Sequence, residues 1–198
     1  MEDGGNADLD EAILLHQSAL ALRPEGHLYR PESLHQLALC LSDRYDKQGS
    51  IADLEEAITH GRAALELCPS GHSCRALMLD SLGYYLRNRF LKDRENADLN
   101  EAISLHRYAV DLRSDGHPHR SDSFHSLALC LSNRYDAEGS IADLEEAIVL
   151  GRAAVELSPP GHSGRAVTLY NLAQYLRHRF LKVDGISGRQ STRLRHDY

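Results

Sequence analysis

Ala7-Asp8-Leu9-Asp10-Glu11-Ala12-Ile13 decides the fold, because the chain repeats it three more times. It returns as Ala52-Asp53-Leu54-Glu55-Glu56-Ala57-Ile58, as Ala97-Asp98-Leu99-Asn100-Glu101-Ala102-Ile103 and as Ala142-Asp143-Leu144-Glu145-Glu146-Ala147-Ile148. The interval is 45 residues each time, with no insertion. The same ruler carries Gly26-His27 to Gly71-His72, Gly116-His117 and Gly161-His162. It carries Arg30 to Arg75, Arg120 and Arg165, and Arg44-Tyr45 to Arg89-Phe90, Arg134-Tyr135 and Arg179-Phe180. Self-similarity at a fixed period marks a stack of identical structural units. A slower period of 90 residues lies over it: His16 matches His106, Gly61 matches Gly151, Cys40 matches Cys130 and Tyr85 matches Tyr175. Alternate repeats are more alike than neighbours, the mark of a duplicated double unit.

Each unit holds two helical patterns. Leu9, Ala12, Ile13, Ala19, Leu20 and Leu22 fall mostly at the spacings of one helix face, and Leu34, Leu37, Ala38, Leu41 and Tyr45 form a second stripe. Asp8 with Glu11 reads as an N-cap and its reciprocal acid, repeated at Asp53/Glu56, Asp98/Glu101 and Asp143/Glu146. Ser50 and Ser140 offer an alternative cap three residues earlier. Pro24, Pro69 and Pro159 end the first helix of the pattern, and Gly49 and Gly139 end the second. The spacing predicts helices over 8–23, 32–47, 53–67, 76–92, 98–112, 121–136, 143–157 and 166–182. Short connections make successive helices antiparallel. Nothing alternates with period two, so no sheet is expected.

The order large-x-x-large-small-x-x-large at Leu34, Leu37, Ala38 and Leu41, followed by Ala57, Gly61, Ala64 and Pro69, resembles the tetratricopeptide repeat (TPR). It recurs at Leu79, Leu82, Gly83 and Leu86 and at Phe124, Leu127, Ala128 and Leu131, with a further half at Leu169, Leu172, Ala173 and Leu176. The usual repeat has about 34 residues, so these units have longer helices and a longer Gly-His loop. In that they resemble kinesin-light-chain repeats and the arrays that precede protease-like CHAT domains. The resemblance implies an all-α solenoid of about eight antiparallel helices in a right-handed superhelix. It covers residues 7–182, with repeats starting near 7, 52, 97 and 142, after a leader 1–6 and before a frayed or disordered tail 183–198. Three two-helix repeats are flanked by two half-repeats, and neither end carries an evident polar cap, which suggests a longer array or self-association through the ends.

By the resemblance, the second helix of each pattern lines a concave groove. Its candidate partner-binding residues are Glu32, His35, Leu39, Ser42 and Asp43; Leu77, Asp80, Tyr84, Arg87 and Asn88; Asp122, His125, Leu129, Ser132 and Asn133; and Val167, Tyr170, Gln174, Arg177 and His178. Tyr84, Tyr170, Arg87 and Arg177 are the expected anchors, since aromatic and Arg side chains dominate binding hot spots. Of the family's paired asparagines only Asn171 is present, so a backbone clamp is not expected, and the groove has no Lys to hold a C-terminal carboxylate.

The 198 residues are 42% hydrophobic and 26% charged, a composition of neither a disordered nor a membrane protein. A net charge of −7 argues against a nucleic-acid partner. The acidic N-terminus is not a signal peptide, and Cys40, Cys68, Cys74 and Cys130 read as reduced thiols of a cytoplasmic protein, with Cys68 and Cys74 able to approach across a loop. Of 22 basic residues only Lys47, Lys92 and Lys182 are lysines, a bias toward structured guanidinium contacts. The recurring Arg residues are expected to stack and to bridge to the Asp and Glu at helix starts, with Arg44, Arg89, Arg134 and Arg179 also favoured by the helix dipole. The four loop histidines sit one repeat apart and cannot share a metal; they are expected to bond a free carbonyl or the next helix start. His117 and His119 alone make a poor metal site. No phosphate loop, nucleophile elbow or zinc helix occurs. The expectation is a non-enzymatic scaffold, without cofactor, metal or catalytic residues, that binds a protein or peptide. The alternatives are a self-associating spacer or the regulatory arm of a larger CHAT-type protein.

Overall fold

The computed structural model describes the backbone of residues 3–193 and the side chains of residues 6–182. Helices α1 (Asp3–Ala21), α2 (Arg30–Gln48), α3 (Ile51–Leu67), α4 (Arg75–Asp93), α5 (Asn96–Leu112), α6 (Arg120–Glu138), α7 (Ile141–Leu157) and α8 (Arg165–Arg193) follow one another, with no strand among the described residues. The expected helices are all present. α1 begins inside the expected leader, and α8 continues past Lys182, where the tail is expected to start. The rest of that tail lies outside the described residues.

The helix starts correct the sequence reading. Asp53 is not the cap of α3: Ser50 is, its hydroxyl accepting from the Asp53 backbone N–H at 3.5 Å. Asp98 and Asp143 likewise stand on the third residue of their helices, and Asp8 lies inside α1. This frees the carboxylates for other work. Arg44 grips Asp53 side-on, Nε to Oδ2 at 2.8 Å and Nη2 to Oδ1 at 2.7 Å, while its Nη1 reaches Asp10 at 2.8 Å. Arg89 repeats this on Asp98 and Glu55, and Arg134 on Asp143. In the other arginine set the expected stacking occurs, Arg75 over the Tyr108 ring and Arg120 over the Phe124 ring, but Arg30, Arg75 and Arg165 bond carbonyls rather than helix-start acids. Arg30 donates to the carbonyls of Leu20 and Arg23, Arg75 to those of Leu65 and Cys68, and Arg165 to those of Val155 and Ser158. Each thus closes the open C-terminal carbonyls of the preceding helix.

The Gly-His loops are one structure used four times. Gly26, Gly71, Gly116 and Gly161 all have φ between 82° and 90°, a region open to Gly at little cost. The following histidine accepts at Nδ1 the backbone N–H two residues on: Tyr29, Cys74, His119 and Gly164, at 3.2–3.3 Å. That bond requires the Nε2–H tautomer and serves the next helix start, not a metal ion.

The chain forms two compact units, Met1–Arg113 and Ser114–Tyr198. In the first, α2 packs along α3 and α4 along α5, with α1 on α2 and α3 on α4; in the second, α6 packs along α7 and α7 on α8. Leu37, Leu41, Leu54, Leu79, Leu82, Leu86, Leu99 and Ile103 are sealed in the first core. Each such side chain contributes about 1.5–3 kcal/mol.

The double unit has a packing cause. A Cβ on Gly61 would stand 3.4 Å from the Tyr85 ring, and one on Gly151 3.3 Å from Leu172 and 3.7 Å from Tyr175. A large ring on the following helix fills the space the glycine leaves. In α5 the same position is His106, and its room comes from Gly83 of α4, where α2 and α6 have Ala38 and Ala128. Bulk has moved from one partner to the other, keeping the volume filled.

Candidate functional site

The expected groove residues divide into those that face open space and those that turn inward. In the first unit a cleft of about 330 Å³ opens between α2 and α4, lined by Leu39, Ser42, Asp43, Asp46, Asp80, Ser81, Tyr84 and Tyr85. It joins Leu39, Ser42, Asp43, Asp80 and Tyr84 of the expected set and adds Asp46, Ser81 and Tyr85. Tyr84 donates its hydroxyl to Asp46 at 2.7 Å, and burial raises its pKa. Burial and the neighbouring Asp46 also push the Asp43 carboxyl up. Arg87 is half-buried and near enough to act on the Tyr84 hydroxyl.

Others of the set are structural. Asn88 is buried and bonds the Tyr84 hydroxyl. Glu32 is exposed, but lines a different cleft. Asp80 faces two neighbours on the α5 side: its Oδ1 meets His106 Nδ1 at 2.9 Å, and its Oδ2 takes a guanidinium N–H from Arg113. His106 and Arg113 are almost fully buried, so Asp80 completes an internal polar triad with them.

His35 is 3% exposed, and its Nε2 has no hydrogen-bond partner among the described residues. Burial lowers its pKa and Glu32 opposes this. A histidine held neutral in the fold contributes stability above its unfolded pKa of about 6.5, and that stability is lost as pH falls through the folded value. Urea midpoints of the native chain should therefore drop as the pH falls below about 6.5. In His35→Leu the drop should be smaller, and an unchanged slope would remove His35 as its source.

In the second unit Leu129 and Asn133 are half-buried on α6, while Tyr170 and Arg177 stand open on α8 and Gln174 is half-buried. His125 meets the Thr168 hydroxyl at 3.2 Å. His178 lies against the Tyr135 ring and 3.6 Å from Asp136. Both histidines brace α6 against α8.

Sequence reasoning missed one feature. A cleft of about 510 Å³ opens beside the first two Gly-His loops, walled by Leu28, Tyr29, Pro31, Leu67, Cys68, Pro69, Cys74 and Met78, with His27 and His72 at its sides. One repeat pair later the corresponding places hold Pro118, His119, Ser158, Gly164 and Thr168. The signal lay in those departures from the repeat. All four cysteines are free thiols. Among the described residues no His, Cys, Asp and Glu group is arranged to hold a metal ion, and no helix is long and apolar enough to cross a membrane.

Neither a family model nor a curated protein matches the sequence. Solved structures do. One is the crystal structure of a Podosopora anserina protein designated a kinesin light chain, with nearly identical TPR-like repeats; it is 21% identical, with a TM-score of 0.60 over 96% of this chain and 88% of that one. Its Q17M variant gives a TM-score of 0.66 over 96% of this chain and 87% of that one, again at 21% identity. The fold is that of a TPR-like solenoid. Within the first unit of this TPR-like fold, Leu39 and Asp43 of α2 and Tyr84 of α4 line one cleft.

Proposed function

We propose that the chain is a non-enzymatic interaction scaffold that takes an extended peptide or a helix in its concave groove. The observation that carries this reading is the α2–α4 cleft, where Leu39 and the Tyr84 ring give apolar contact beside Asp43 and Asp46. With Asp80 already neutralised by Arg113, these two carboxylates leave the cleft acidic. A ligand with a Lys or Arg side chain between apolar residues suits it, its cation held by the carboxylates and against the Tyr84 ring. Arg87 borders the same site and serves by stacking and by pairing with a ligand carboxylate.

The test is peptide-array binding, followed by titration of the best basic peptide. Tyr84→Ala with Arg87→Ala should weaken binding by about tenfold or more while helicity by circular dichroism stays unchanged. Asp43→Asn with Asp46→Asn should remove the preference for basic peptides. Equal binding by the first double variant would take the groove out of the mechanism.

A further inference from the structure

Helix α8 has an open face where its equivalents are sealed. Leu169 is 45% exposed, against 4% for Leu34 and 1% for Leu79. Phe180 is 61% exposed, against 7% for Tyr45 and 0% for Phe90. Ala173 is also exposed, whereas Ala38 and Ala128 are buried. In the other three cases the cover is the supporting helix that follows, α3, α5 or α7.

Helix α1 has the complementary deficit. By the repeat frame it is itself a supporting helix, carrying the Ala-Asp-Leu-x-Glu-Ala-Ile stretch. α3 is packed by both α2 and α4, and its Leu54, Ala57 and Ala64 are fully buried. α1 packs on α2, and its Leu9, Ala12 and Ala19 are only half-buried.

Charge selects between this cover and any other greasy helix. Arg44 and Arg89 each place Nη1 on the acid 34 residues earlier, and Nε and Nη2 on the aspartate nine residues later. Arg179 makes the first contact, Nη1 to Glu145 at 3.1 Å with |i−j| = 34, so its guanidinium is already set in the shared pose. The place of the later aspartate falls to Gly188, which brings no carboxylate. The Nε and Nη2 edge of Arg179 has no side-chain partner among the described residues. In α1 the residue equivalent to Asp53, Asp98 and Asp143 is Asp8, which is exposed.

We propose that α1 of a second copy covers α8 of the first, in the register that α3 holds on α2, with Asp8 of the second copy gripped side-on by Arg179. The contact joins unlike surfaces, so copies add head to tail, in a ring if the rotation closes and in an open filament if it does not. Assembly then grows with concentration.

Sedimentation velocity and light scattering from micromolar to millimolar concentration test this. The native chain should rise above monomer mass. Arg179→Asp and Asp8→Arg should each raise the concentration needed by more than about tenfold, with unchanged circular dichroism. Combining the two in one chain should restore assembly, because the pair is rebuilt with reversed charge. Leu169→Glu with Phe180→Glu should abolish assembly outright, and both sites are exposed enough to leave the fold intact. A native chain that stays monomeric throughout, assembly unaffected by Leu169→Glu with Phe180→Glu, or a charge-reversed chain no better than the single variants would each overturn the proposal.

Discussion

Gly83→Ala should lower the unfolding free energy of the chain by about 2–4 kcal/mol, read from urea denaturation. The sign is not obvious from propensity. Alanine in place of glycine inside a helix is worth about 1 kcal/mol in favour of folding, and a surface glycine would show that gain. Here a Cβ would stand 2.6 Å from His106 Nε2, 2.8 Å from Cε1 and 3.0 Å from Cδ2. The ring has no room to swing. It is 1% exposed, and its Nδ1 is tied to Asp80, which Arg113 holds in turn. Overlap with an immobile buried ring outweighs the propensity gain. The rescue is written in the other repeats, where Ala38 and Ala128 stand opposite Gly61 and Gly151. Gly83→Ala with His106→Ala should recover at least half of the loss, since the Asp80–Arg113 pair survives. A stability of Gly83→Ala equal to or above that of the native chain would show that the ring yields, and would remove the close approach as the reason for glycine.

The same triad shows where reading a sequence stops. The 45-residue ruler and the apolar spacing were enough to place every helix, because both depend on local pattern and on burial of one face. Of the positions carried over by register, Leu39, Asp43 and Tyr84 come to line one cleft, because their surroundings are set by their own helix face. Asn88 and His35 are buried instead, and Asp80, although it lines the cleft, is also engaged by neighbours. Asp80 turns toward α5 because His106 and Arg113 bring buried polar atoms that need a partner; neither lies near it in sequence. Helix starts were off by a turn for a related reason. Asp53 looks like a cap until Arg44, on the preceding helix, takes both its oxygens and leaves capping to Ser50. The apolar cleft around Cys68, Cys74 and Met78 could have been suspected, since those residues break the repeat, but a departure in sequence does not say whether the space it creates is filled.

The second large effect is expected at Arg89. Arg89→Met should cost about 3 kcal/mol, the lower end for breaking a buried ion pair by removing one partner. Its Nε and Nη2 each stand 2.6 Å from an Asp98 oxygen, and Nη1 reaches Glu55 at 2.8 Å, so one side chain ties α4 to the start of α5 and to α3. Asp98 is 6% exposed, and without its cation the carboxylate is left in a site that water reaches poorly. The N-terminus of α5 offsets part of that loss, and Arg89 itself is partly open, so the upper end of the range is not expected. Asp98 raises the Arg89 pKa above its already high ordinary value by a side-chain hydrogen bond, so the guanidinium stays charged throughout a pH series. Arg89→Lys should recover less than half of the loss, because an ammonium cannot meet both carboxylate oxygens side-on. The chain carries its own control: Arg179→Met, which loses only the exposed Glu145 contact, should cost about 0–1 kcal/mol in dilute monomer. Near-equal losses at Arg89 and Arg179 would mean that the side-on grip on the aspartate is geometric decoration. A difference of a few kcal/mol would mean that the recurring Arg–Asp pair holds each helix hairpin closed.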